Sequence, residues 1–148
     1  MAAESTPGAR NADAWIAHAV NGALSGAVRI GLAGLGFALL AVWLVATAAL
    51  PRALAVAPLA VALAELWLLL RVAIDHRLFD ALAASCTRDG HADLAGLDRA
   101  LTELGWIAPA RAGRPLPERA RGAMRLVRAS AALAALQLAL ALLISMLR

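Results

Sequence analysis

The chain has 148 residues, 62% of them hydrophobic, and a mean hydropathy of +0.74, well above the roughly half-apolar usage of a water-soluble domain. This excludes an ordinary soluble fold and predicts an all-α integral membrane protein. The net charge is +4, and its basic residues are all Arg; the single cysteine, Cys86, rules out an intramolecular disulfide.

Residues 1–13, MAAESTPGARNAD, read as a disordered polar tail. The first long apolar run begins near Ile30, too far along for a secretory signal, so it is expected to be a retained span. Residues 14–29 carry Trp15, Ile16 and Val20 beside His18, Asn21 and Ser25. That mixture suits an amphipathic helix lying in the membrane interface, or an extension of the first span.

Three runs reach the roughly 20 residues that cross a hydrocarbon core of about 30 Å: 30–50, 53–74 and 126–147. The first two are joined almost without a loop, with Pro51 suited to a first helical turn and Pro58 expected to bend the second helix. Most of the arginines lie between Arg71 and Arg128. By the positive-inside rule that segment is cytoplasmic, which predicts three spans, N-terminus in and C-terminus out, with only Arg52 and Arg148 on the far side.

The cytoplasmic stretch 75–125 is expected to be helical. The second helix should continue to about Asp89-Gly90, where glycine supplies a C-terminal cap. A short helix should follow with Leu94, Leu97, Leu101 and Leu104 on one stripe and Gly105 at its end. So small a segment makes a poor core by itself. The leucines are therefore expected to pack on the base of the second helix, on the membrane, or on a partner. A Pro/Gly/Arg loop leads to Pro117-Glu118, which opens the third long helix.

Glu65 is the one clear carboxylate inside a span, where an acidic residue costs about 2.5–3.5 kcal/mol on insertion scales. At 100° per residue it shares a stripe with Pro58, Leu69, Val72 and His76. His76 lies eleven residues on, or about 16 Å at 1.5 Å per residue, so a proton relay between them needs water. Glu65 reads either as a proton or cation site with His76 at the mouth, or as a helix fastener that is protonated, or hydrogen-bonded to Gln137, Thr47 or the indole of Trp43 or Trp67.

Small residues let membrane helices approach closely, and each span offers such a face. These are Gly31, Gly34, Ala38 and Ala41; Ala53, Ala57, Ala60 and Ala64; and Ser130, Ala134, Gln137 and Ala141. Arg121, Arg125 and Arg128 fall on one helix face beside the membrane, a pattern that attracts anionic lipid headgroups. Nucleic acid is not an expected partner, since neither a recognition motif nor interleaved aromatics accompany the arginines.

His76, Cys86 and His91 with Asp75, Asp80 and Asp89 match no regular zinc spacing. GLAGLG at 31–36 has the wrong order for a dinucleotide loop and lies inside a span. The carboxylates Asp75 and Asp80 are expected to pair locally with Arg71 and His76. Without a catalytic motif, no enzyme activity, metal or cofactor is expected. The sequence points to a non-catalytic subunit, scaffold or assembly factor of a bacterial inner-membrane complex or homo-oligomer. The alternatives are a small proton- or cation-coupled transporter centred on Glu65, and a holin-like pore former.

Overall fold

The computed structural model describes residues 7–48, 50–89, 93–108 and 112–147. Four α-helices account for nearly all of them: α1 (Pro7–Thr47), α2 (Val56–Asp89), α3 (Leu94–Glu103) and α4 (Leu116–Met146), with a short 3₁₀ turn at Arg52–Ala55 before α2. Three of these, α1, α4 and the helix entered through the 3₁₀ turn, are long and apolar enough to cross a membrane. α1 packs on both α2 and α4, which touch each other less.

A heptad-type seam explains why these long helices stay together. The buried positions of α1 run Ala17, Val20, Leu24, Ala27, Gly31, Gly34, Ala38, Ala41 and Val45. Those are alternating steps of three and four, a 3.5-residue period that keeps one face toward the partner under a left-handed supercoil. The same alternation runs through Pro58, Val61, Glu65, Leu68, Val72, Asp75, Phe79, Leu82 and Cys86 of α2, with Val61 and Asp75 only half-buried. It recurs in α4 through Leu116, Ala120, Ala123, Val127, Ser130, Ala134, Gln137, Ala141 and Ile144, with Val127 half-buried.

The seam changes residue size along its length. Toward the N-terminal end of α1 it holds Val20, Leu24, Leu68, Val72, Phe79, Leu82 and Leu116 in one apolar cluster. A second cluster at the other end gathers Ala41, Leu44, Val45, Ala141 and Ile144. Between the two lie glycine, alanine and the polar side chains Ser130, Glu65 and Gln137.

Several expectations are revised. Of the two expected forms of residues 14–29 the interfacial helix gives way to the other, continuity with the first span: they belong to one unbroken α1, whose helix begins at Pro7, and their Ala17, Val20, Leu24 and Ala27 sit inside the bundle. Their polar residues are accommodated on the flank, where Asn21 donates to Asp80 of α2 at 3.1 Å. The rest of the supposed tail, residues 1–6, lies outside the described residues. Pro58 is in the first turn of α2, where its missing N–H leaves no internal bond unmade. Pro51 caps the 3₁₀ turn. α2 runs to Asp89; Gly90 lies outside the described residues.

α3 starts at the N-cap Asp93, whose side chain accepts from the Gly96 N–H at 2.8 Å, and ends at Gly105 with φ 68°. Its docking rests on Asp98, which is buried. The carboxylate accepts from the Gly113 N–H at 2.7 Å and from Arg119 Nη2 of α4 at 2.6 Å. Burial alone works against the charge on Asp98. The Gly113 N–H and the Arg119 guanidinium outweigh it and hold the carboxyl below its ordinary value.

A carboxylate with a lowered folded-state pKa contributes stability above its unfolded value, and that contribution is lost as pH falls through the folded one. The clasp therefore holds at neutral pH and releases only in acid below the ordinary Asp range. Asp98→Ala is expected to cost about 2–3 kcal/mol in the docking of α3, the worth of bonds to a charged group. Hydrogen exchange of the α3 amides should accelerate while that of the α1 seam stays unchanged.

Candidate functional site: a polar layer inside the bundle

The polar layer is built on two glycines of α1. A Cβ on Gly31 would overlap Leu69 of α2 and crowd Ser130 Oγ of α4, and a Cβ on Gly34 would overlap the Glu65 carboxyl. The missing side chains leave room for the ends of Leu69 and Glu65 against the α1 backbone. Gly31, Leu69 and Ser130 thus meet at one level. Two residues further toward the same end of each helix, about 3 Å along the axis, stand Arg29, Arg71 and Arg128, all exposed.

From that arginine level to the opposite end each long helix runs about 18 residues, or ~27 Å, close to the hydrocarbon thickness of a bilayer. Arg52 lies at the opposite end. The faces between are exposed Leu32, Leu39, Leu40, Trp43, Leu63, Leu66, Trp67, Leu70, Leu142 and Leu143, as lipid requires. Beyond the arginine level the exposed residues include Arg77, Asp80, Arg88, Arg99, Glu103, Arg114, Arg121 and Arg125.

Glu65 and Gln137 are both fully buried, at 0% exposure, and Ser130 nearly so. Gln137 Nε2 donates to the Pro58 carbonyl at 3.0 Å, and Ser130 Oγ donates to the Ala27 carbonyl at 3.3 Å. Each bond ties α4 to a different neighbour. Both oxygens of Glu65 and Oε1 of Gln137 have no hydrogen-bond partner.

The partners expected for Glu65 are engaged elsewhere. Gln137 turns its amide N–H to Pro58, Thr47 Oγ1 donates to the Trp43 carbonyl at 2.9 Å, and Trp43 and Trp67 are exposed. His76 is half-exposed, and Leu68, Leu69 and Val72 fill the interior between it and Glu65. The two are on one helix but share no polar space. The local ion pairs Arg71–Asp75 and His76–Asp80 do not form; among the described residues the ion pair is Arg119–Asp98. Burial raises the Asp75 carboxyl, and the nearby Arg71 offsets this only in part. Burial, with Asp13 beside it, pushes the Cys86 thiol up; it is a seam residue.

The leucine stripe of α3 is covered within the chain. Leu94 and Leu97 pack on the cluster of Phe79, Leu82 and Leu116, and Leu101 is buried. A cleft of about 270 Å³ remains under them, between α2 and α4. Leu104 alone, 67% exposed, faces outward with Trp106 beside it. As a partner-docking surface the stripe is therefore corrected: three of its four leucines are spent inside the molecule.

The close-packing faces divide similarly. Gly31, Gly34, Ala38 and Ala41 meet Ser130, Ala134, Gln137 and Ala141 in the interior. Ala53, Ala57, Ala60 and Ala64 are exposed, because the seam of α2 is the face that carries Pro58, Glu65 and Leu68. Arg121, Arg125 and Arg128 are exposed as expected, and Arg121 Nε donates back to the Pro117 carbonyl at 3.3 Å.

Comparison with protein-family models, curated proteins and solved structures gave no match.

Gly34 and Glu65 are expected to be energetically coupled. Gly34→Leu should destabilise the bundle by about 1–3 kcal/mol through overpacking. In a Glu65→Ala background the loss should be smaller, a non-additivity of about 0.5–3 kcal/mol readable in detergent unfolding curves of the four proteins.

Proposed function

We propose that this protein is a non-catalytic subunit or scaffold of a membrane assembly, formed with further copies of itself or with other membrane subunits. The observation that carries this is the exposed small-residue face Ala53, Ala57, Ala60 and Ala64 of α2 and its preceding turn. Lipid tails are as apolar as leucine, so helices in a bilayer associate through close van der Waals approach rather than through burial from water. α1 and α4 spend their small faces on each other and on α2. The alanine face of α2 remains free to receive a helix from outside the chain.

The asymmetry of charge supports a bacterial inner-membrane location with the N-terminus and the helical extension in the cytoplasm. Arginines populate the extension, whereas among the described residues Arg52 belongs to the other end. In that orientation Arg29, Arg71 and Arg128 stand at the headgroup boundary, with Arg125 and Arg121 one and two turns deeper in the cytoplasm. Anionic headgroups are the natural partners of Arg121, Arg125 and Arg128. The extension then works as a rigid support, carrying α3 with its exposed Leu104 and Trp106 away from the bilayer.

Purification from native membranes in mild detergent is expected to give a species heavier than the 15.2 kDa chain or a defined co-purifying membrane subunit. Replacing Ala57, Ala60 and Ala64 together by Leu should release a folded monomer, seen by light scattering. A wild-type protein that is strictly monomeric and alone contradicts the proposal.

A further inference from the structure

Glu65 Oε1, Glu65 Oε2 and Gln137 Oε1 are acceptors without a donor, on two fully buried side chains. Ser130 Oγ is committed to the Ala27 carbonyl, and Gln137 Nε2 gives one of its two hydrogens to the Pro58 carbonyl; its second hydrogen makes no bond to Glu65. Nor, among the described residues, does a counter-charge pair with Glu65. α1 presents Gly31, Gly34 and Ala38, and α4 presents Ser130, Ala134 and Gln137. On α2 the nearest charged or titratable groups are Arg71, about 9 Å along the helix, and Asp75 and His76, about 15 and 16 Å along it. Arg29, Arg71 and Arg128 are exposed at the level beyond Gly31.

A bare carboxylate in this place would lack water, cation and hydrogen bond at once, the costliest condition for a buried charge. A carboxylic acid differs by one O–H: it carries no charge and is itself a donor, which suits a carboxyl that no donor reaches. A bound metal ion fits less well, since hard cations such as calcium and magnesium collect about six or more oxygens and the layer has three free.

We propose that Glu65 is a proton-binding site within the membrane. It holds a proton at neutral pH, which removes the charge and gives the layer an O–H; Gln137 Oε1 is a buried acceptor of the same layer without a partner. Removing the proton places a charge against Gly34 and parts α1 from α2 there. The inference rests on the interior hydrogen-bond balance and is independent of the alanine face of α2.

Infrared spectroscopy of the full chain in lipid vesicles, with carboxyl-¹³C glutamate incorporated, tests this directly. The glutamates are Glu4, Glu65, Glu103 and Glu118, so the isotope separates Glu65 from every aspartate. At neutral pH the protein should show an isotope-shifted C=O stretch of a protonated carboxyl. That band should persist in Glu103→Gln and Glu118→Gln, which alter exposed residues, and vanish in Glu65→Gln. When alkali removes the band, hydrogen exchange around Gly34 should accelerate.

Absence of the band from the wild-type protein at neutral pH overturns the proposal without recourse to any variant. So does its loss in Glu103→Gln or Glu118→Gln, or its survival in a folded Glu65→Gln. A glutamate carboxylate band that shifts on adding sodium or potassium chloride in the wild-type protein but not in Glu65→Gln overturns it in favour of a cation site.

Discussion

The close approach of α1 to its two neighbours at Gly31 and Gly34 is the constraint on which the rest of the structure depends. Inside a bilayer no hydrophobic gain draws helices together, so contact distance decides whether they associate. Two missing side chains let Leu69, Ser130 and the Glu65 carboxyl reach the α1 backbone. That contact sets the axial register of all three long helices and thereby places Arg29, Arg71 and Arg128 at one height. It also seals Glu65 away from lipid and water. An acidic residue is tolerated in the span because the seam gives it an interior.

The seam continues past the arginine level under a different physical regime. There its positions are filled by Val20, Leu24, Phe79, Leu82 and Leu116, side chains whose burial is favourable only when the alternative is water. α3 covers the open side between α2 and α4 with Leu94, Leu97 and Leu101, and Asp98 fastens it to Arg119. One helical repeat thus holds a layer of small residues and buried polar groups between two apolar clusters.

The spans were legible because length and hydropathy suffice to find them, and so was the amphipathic character of α3, whose leucines alternate cleanly. The seam was harder to see. Its members in α1 are mostly alanine and glycine, which in so alanine-rich a chain resemble background. A straight 100° helical wheel also drifts away from a 3.5-residue repeat, drawing Leu69 and His76 onto the stripe of Glu65 in place of Leu68 and Asp75. The separation of 14–29 from the first span followed from polar residues such as Asn21. The structure places Asn21 on the flank facing Asp80, a contact between helices that local pattern does not reveal. The Asp98 clasp joins residues fifteen and twenty-one positions apart, beyond the reach of any helical period. Which small faces were free, finally, depended on which face of α2 turned inward, a property of the assembled bundle.

The common register of the three helices is the central claim, and depth measurement by site-directed spin labelling tests it most directly. With Cys86 replaced by serine, nitroxides at the exposed positions Ala33, Leu70 and Ala129, one per long helix, report immersion through the contrast between oxygen and a polar relaxant. All three should lie just within the bilayer on the arginine side, at depths agreeing within about one helical turn, or ~5 Å. Depths differing by several turns, or a label on the opposite side of the membrane, would contradict the shared level and with it the burial of Glu65 against Gly34.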